Sequence, residues 1–306
     1  MSSCHLPANP GTYGPGIRLS LYLNWATVIL SDIVYTPTRS VFERFVTLLL
    51  ESAVFISLLK QTSTDSIAAI EIYICTLLVS CTCCFHIASF LWRMGTCCRE
   101  EFDLSLGSAW MQWSTHGRNV LTAGRFVYIV GLGTFEFWFW NGSGERRGRM
   151  GGDMECPRWV WVFGRRVALG DGGLRVFMVV LYTALVVGAV AVAAMNLVRR
   201  RRGDARKEWR RAVRRNLDNG TTWLHIVRAV LHAVVMALFI TAIERTIQFN
   251  DMTGAWDVSS SAQIFPLLVS CCLLVGVIRE GKSPKEEAEK GMAWVAAAGG
   301  WARWGP

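Results

Sequence analysis

Val176-Phe-Met-Val-Val-Leu-Tyr-Thr-Ala-Leu-Val-Val187 holds no charge and does not alternate in polarity. A strand of a membrane barrel would alternate apolar and polar residues. A continuous apolar run in lipid must satisfy its backbone hydrogen bonds within itself, so it reads as a helix. The apolar stretch spans roughly 174–198 and meets Arg199-Arg-Arg-Arg202. A helix crossing a hydrocarbon core of about 30 Å needs about 20 mostly apolar residues, and this stretch supplies them.

Six similar stretches accompany it, at roughly 17–35, 41–59, 67–92, 119–140, 224–246 and 258–278. The chain has 306 residues, 52% hydrophobic and 18% charged, against about 25% charged in soluble domains. A soluble protein of this length would bury one or two such runs, not seven. The sequence therefore predicts an all-α integral membrane bundle of about seven transmembrane helices over 17–278. An arm at 1–16 and a tail at 279–306 flank it. Trp92, Trp138, Trp140, Trp223 and Trp256 fall at segment ends, where an interfacial aromatic belt is expected. Arm residues 1–16 hold no Lys or Arg and contain Pro7, Pro10 and Pro15, so no cleavable leader is expected. No repeat of solenoid length is visible.

Loop charge sets the orientation. Arg199, Arg200, Arg201, Arg202, Arg206, Lys207, Arg210, Arg211, Arg214 and Arg215 crowd a short loop between two apolar segments. Such loops stay cytoplasmic. With seven spans the N-terminus is then outside and the C-terminal tail, with Arg279, Lys282, Lys285 and Lys290, is cytoplasmic. One loop opposes this. Positions 142–173 would lie outside, yet carry Arg146, Arg147, Arg149, Arg158, Arg165 and Arg166. Within it, Arg158-Trp-Val-Trp-Val-Phe-Gly-Arg-Arg166 mixes aromatic and basic residues, which suits a piece lying on the membrane or dipping into it. The net charge of +9 sits largely in loops beside apolar segments. The expected partner is the lipid bilayer, with anionic headgroups at Arg199 to Arg215, and not nucleic acid.

Gly14-Pro-Gly-Ile-Arg-Leu-Ser-Leu-Tyr-Leu-Asn24 opens the first segment. Trp138-Phe-Trp140 precedes Cys156 and then Trp161-Val-Phe163. Thr246-Ile-Gln-Phe-Asn250 leads to Ser260-Ser-Ala-Gln263-Ile-Phe-Pro266. Together these resemble a family of uncharacterised multi-pass membrane proteins of filamentous fungi, over nearly the whole chain. The family pattern has Gln at Asn24, Trp at Phe249 and Gly at Ala262. The resemblance implies a fungal source and a membrane location, and no activity.

Ionisable residues in lipid need an explanation, because charge there is costly and normally faces the bundle interior. Glu51 lies mid-segment. It is read as a neutral structural group, as a partner of Arg125 or Arg228, or as the lining of an ion path. His225, Arg228 and His232 share one helix face. His225 and Arg228 lie near enough to the segment end to snorkel, whereas His232 lies deeper. Glu71, Glu136 and Glu244 sit near outer segment ends, where solvent is the expected surrounding. Cys4 and Cys156 are candidates for a disulfide, Cys97 and Cys98 for palmitoylation, and Asn141 for N-glycosylation. Cys81, Cys83, Cys84 and His86 lack metal-ligand spacing and read as small buried residues. No cofactor, metal site or catalytic residue is expected, and there is no Gly-x-Ser-x-Gly elbow.

Three functions fit. Glu51, Arg125, Arg228 and His232 suit transport of a small solute or ion, with Gly131 and Gly133 permitting a helix break. Seven spans with the N-terminus outside suit a sensory or signalling receptor. A non-catalytic membrane scaffold is a further alternative. The expected location is the plasma membrane or an endomembrane.

Overall fold

Among the described residues, seven long helices form over the apolar stretches, joined by a single-turn helix and one hairpin that the apolar pattern does not announce. A computed structural model describes residues 8–34, 37–95, 115–141, 158–201, 222–257 and 261–280. Asn9 caps the short α1 (Pro10–Tyr13), its side chain accepting from the Gly11 amide at 3.2 Å. The long helices are α2 (Pro15–Val34), α3 (Pro37–Ser63), α4 (Ala69–Gly95), α5 (Thr115–Trp140), α6 (Gly172–Arg201), α7 (Thr222–Phe249) and α8 (Ser261–Glu280). Pro15 and Pro37 stand at first helical positions, where a missing N–H is harmless. Asp171 caps α6 by accepting from the Leu174 amide at 3.0 Å. Glu71 reaches back to the Ala68 amide at 2.9 Å, closing the first turn of α4.

Successive long helices alternate in direction. The start of α2, the end of α3 and the start of α4 meet around Asn9, Gln61 and Glu71. Gly16 and Gln263 join the starts of α2 and α8. The arm, the hairpin and the turns at 64–68 and 251–257 therefore share one end of the bundle. The C-terminal ends of α6 and α8 lie at the other.

The hairpin is β1 (Trp159–Val162) paired antiparallel with β2 (Arg165–Ala168), Val162 opposite Arg165. Its two-residue turn, Phe163-Gly164, has positive φ at both positions (43° and 87°). That is the primed turn whose twist matches a hairpin. The piece read as lying on the membrane or dipping into it is thus a hairpin. The Trp-Val-Trp-Val alternation followed by Phe-Gly was a strand signal.

Polarity is arranged inside out. α4 is enclosed, every side chain from Ala69 to Phe85 being buried, with α3 and α7 as its main neighbours. Outer faces are apolar: Leu49 and Ile56 on α3, Val180 and Val187 on α6, Phe265 and Leu268 on α8 are all more than half exposed. Three helices hold stretches long and apolar enough to cross a membrane: Glu43–Ser63, Gly172–Ala191 and Ile226–Phe249. Shorter apolar stretches occupy Ala69–Phe85 and Gln263–Arg279.

Two further expectations are corrected. α5 runs unbroken through Gly131 and Gly133. A Cβ on Gly133 would overlap Val186 Cγ2, so this glycine lets α5 and α6 approach closely. Trp140 is buried and does not join an interfacial belt.

Candidate functional site

The bundle centre gathers polar side chains from four helices. Glu51 lies halfway along α3, with 1% of its surface exposed. The Thr82 hydroxyl of α4 reaches both its carboxylate oxygens, at 2.9 and 2.8 Å. The Trp25 indole of α2 donates to it at 3.3 Å. Arg125 of α5 is buried within electrostatic range of Glu51, Cys83 and Arg44. Helix spacing makes this convergence possible, because Trp25, Glu51, Thr82 and Arg125 each lie near the middle of their own helix.

His232 of α7 stacks on Phe85 of α4, ring centroids 4.6 Å apart and 12° from parallel. Phe85 is three residues beyond Thr82, so α4 carries the Glu51 and His232 contacts on neighbouring turns, about 4.5 Å apart along its axis. Arg228 lies one turn before His232 and is buried. The snorkelling expected of Arg228 is therefore corrected: a guanidinium at 4% exposure is enclosed by protein. The described side chains do not include His225.

A second polar set closes the hairpin end. Arg18 of α2 lies 3.1 Å from Glu244 of α7. Tyr22 donates to the same carboxylate oxygen at 2.9 Å. The Arg18 guanidinium also donates to the Tyr13 carbonyl at 3.3 Å and lies 4.8 Å above the Trp256 ring. Glu71 accepts from the Tyr13 hydroxyl at 2.8 Å and from the Asn9 amide at 2.9 Å. Gln61 joins Asn9 and Thr12, at 2.9 and 2.6 Å. Burial, and next the Glu71 carboxylate, push the Tyr13 phenol well above its usual range. Burial lowers the Arg158 guanidinium, and the nearby Glu71 opposes that shift.

The hairpin docks on α7 through side chains. Asn250 accepts from the Trp159 amide at 3.0 Å and donates to its carbonyl at 2.6 Å. Thr246 accepts from the Trp161 amide at 3.1 Å. These are the outward backbone groups of β1, left over by its pairing with β2. Arg166 lies over the Trp159 and Phe249 rings, at 4.6 and 5.2 Å. The stretches quoted for their family resemblance thus meet at this end.

The carboxylates expected at outer ends are corrected most. Glu71 and Glu136 are buried, and Glu244 is shielded by Arg18 and Tyr22. None is a solvated helix end. Distance from a helix end measures depth only where nothing covers that end, and here the arm and hairpin do. Sequence reasoning also missed Arg18, Trp25 and Thr82. The signals were present: a Trp mid-run needs an acceptor, and α4 is rich in Thr, Ser and Cys. Asn141 is exposed just past α5. Cys4, Cys97, Cys98, Cys156 and positions 202–215 lie outside the described residues. Among the described residues no group of three or more His, Cys, Asp or Glu could hold a metal.

Compared with family models, curated proteins and solved structures, the chain matches none.

Proposed function

We propose that this is a seven-span membrane protein that transports a small solute or ion, with its N-terminus outside and its tail cytoplasmic. The observation that carries the reading is the buried centre of Glu51, Thr82, Trp25 and Arg125. Packing alone would be better served by small apolar residues at that depth. A carboxylate and a guanidinium mid-bundle are costly and mark a path for polar cargo. His232, on the next turn of α4, extends that path toward α7. The lipid-facing apolar faces support seven crossings, and anionic headgroups are the partner of the 199–215 segment. The arginines at the hairpin end are compatible with N-terminus outside, because Arg166 is held by two rings and the half-buried Arg158 lies within electrostatic range of Glu71.

Proteoliposomes loaded with a pH-sensitive dye and given an imposed potential test the ion arm, and a panel of labelled amino acids and sugars tests the solute arm. Flux above protein-free vesicles, lost in Glu51→Gln, is expected. No flux of either kind would set transport aside. The odd helix number, which puts the arm and the α8 terminus at opposite ends, favours a seven-helix sensor as the second reading. A membrane-impermeant reagent that labels 199–215 from outside intact cells would reverse the orientation.

A further inference from the structure

The centre just described does not use Glu136, which lies 11 residues along α5 from Arg125, about 16 Å away on the helix axis. It has 1% of its surface exposed. One carboxyl oxygen accepts from the Trp140 indole at 2.8 Å, and the other has no hydrogen-bond partner. Tyr73 of α4 and Tyr182 of α6 lie in its electrostatic range. The Tyr182 hydroxyl is bonded to Ser80 at 2.8 Å. From α3 the neighbouring side chain is Phe55, packed on Phe135. Thr76 of α4 is within hydrogen-bonding reach of the carboxyl. Its own hydroxyl hydrogen, however, is directed at the Tyr73 carbonyl, at 2.9 Å. None of the charged groups within electrostatic range of Glu136 is basic among the described residues. Each other outer carboxylate has such a group: Arg18 for Glu244 and Arg158 for Glu71.

One oxygen of this buried carboxyl is thus left without a hydrogen, and the Thr76 hydroxyl within reach is already engaged with the Tyr73 carbonyl. An isolated buried carboxylate costs several kcal/mol or more unless it is paired or neutralised. We propose that Glu136 is a proton-binding site: its carboxyl takes up a proton within the α4, α5 and α6 contact, donates that hydrogen to Thr76 Oγ1, and keeps the Trp140 indole on its other oxygen. The proton is the ligand, and no metal or counter-cation takes part. The site is independent of the transport reading, since a bound proton is detected whatever the bundle carries.

Infrared spectra of the full-length protein in lipid, taken between about pH 5 and about pH 9, test the site. Expected is a carboxylic-acid C=O band at neutral pH that Glu136→Gln removes and Glu51→Gln leaves in place. Thr76→Ala, which keeps the carboxyl but deletes the acceptor, should shift the band to higher frequency. A second measurement covers the case in which Glu136→Gln does not fold. A hydrophobic carbodiimide adds a protonated acid across its C=N bond, and the product rearranges to a stable N-acylurea without loss of atoms. On the unmodified sequence, peptide mass should place this label on Glu136, with yield falling about tenfold per pH unit once the group ionises. An unaltered acid band in Glu136→Gln, or labelling of Glu136 that does not vary with pH, would overturn the proposal. Absence of label on Glu136 at every pH would do the same.

Discussion

α4 and α6 are both apolar helices of about spanning length, yet they have opposite surroundings. α6 buries one stripe, Leu174, Met178, Tyr182 and Leu185, and turns Val176, Val180 and Val187 outward. α4 buries every side chain from Ala69 to Phe85. The difference in composition is modest but telling. The exposed face of α6 is mainly valine and alanine, with Arg175, Phe177 and Thr183. α4 interleaves its isoleucines and leucines with Thr76, Ser80, Thr82 and Cys75, Cys81, Cys83 and Cys84. Those hydroxyls meet Glu51 and Tyr182. A helix apolar all round is an interior helix, and small polar groups on it name the helices it serves.

Substitutions can break or sharpen this contrast. The largest effect is expected at the seam where α6 meets the bundle. Gly133→Leu would drive a branched side chain into Val186, whereas Gly188→Leu, with nothing within 4 Å of its added Cβ, would not. The Cβ alone already overlaps Val186 and leucine adds three more carbons, so the cost exceeds the about 1–3 kcal/mol usual for overpacking, and the first variant should yield no monodisperse protein in detergent while the second purifies normally. Equal yields would mean the two glycines are alike. Next, Leu78→Ala on α4 should cost about 2–5 kcal/mol as a cavity forms, read as a lowered midpoint of thermal unfolding. Val180→Ala on α6 should stay within about 0.5 kcal/mol. A similar loss at both sites would remove the distinction between enclosed and outward-facing helices.

A smaller effect is expected at the α4 hydroxyl. Thr82→Val leaves Glu51 with only the Trp25 indole among the donors described, and an unsatisfied buried acceptor costs about 1–3 kcal/mol. Thr82→Ser should restore stability, and failure to do so would show that the methyl group matters more than the hydroxyl. Smallest is Thr246→Val, which removes one acceptor under the hairpin, about 0.5–1.5 kcal/mol. Faster amide exchange confined to residues 158–169 is expected, and unchanged exchange there would deny the docking role of Thr246.

Hydrophobic runs made the seven long helices legible, each lying over one run. They did not show which face each helix buries, because a run like 176–187 is apolar at every phase. Glu51 and Arg125 stood out as polar residues inside apolar stretches, and the structure brings them close. Arg18 was missed and Glu136 misplaced for one physical reason. Each sits a turn or so from a helix end, and the covering pieces come from distant sequence: Trp256 over Arg18, Tyr73 and Tyr182 beside Glu136. The hairpin was hidden by its aromatic and basic composition, which matched a surface-lying segment just as well.

The seating of that hairpin rests on two rulers that nearly agree. Four residues of helix advance about 6 Å, and two residues of strand advance about 6.6 Å. Asn250 and Thr246 can therefore stand in for a third strand, meeting Trp159 and Trp161 with consecutive rungs. A slide by one residue on either side would misalign both rungs together, so the contact has discrete settings and no gradual ones. Length changes in the 142–157 connection leave that alignment intact, whereas a single insertion between 159 and 161, or between 246 and 250, would unseat the hairpin.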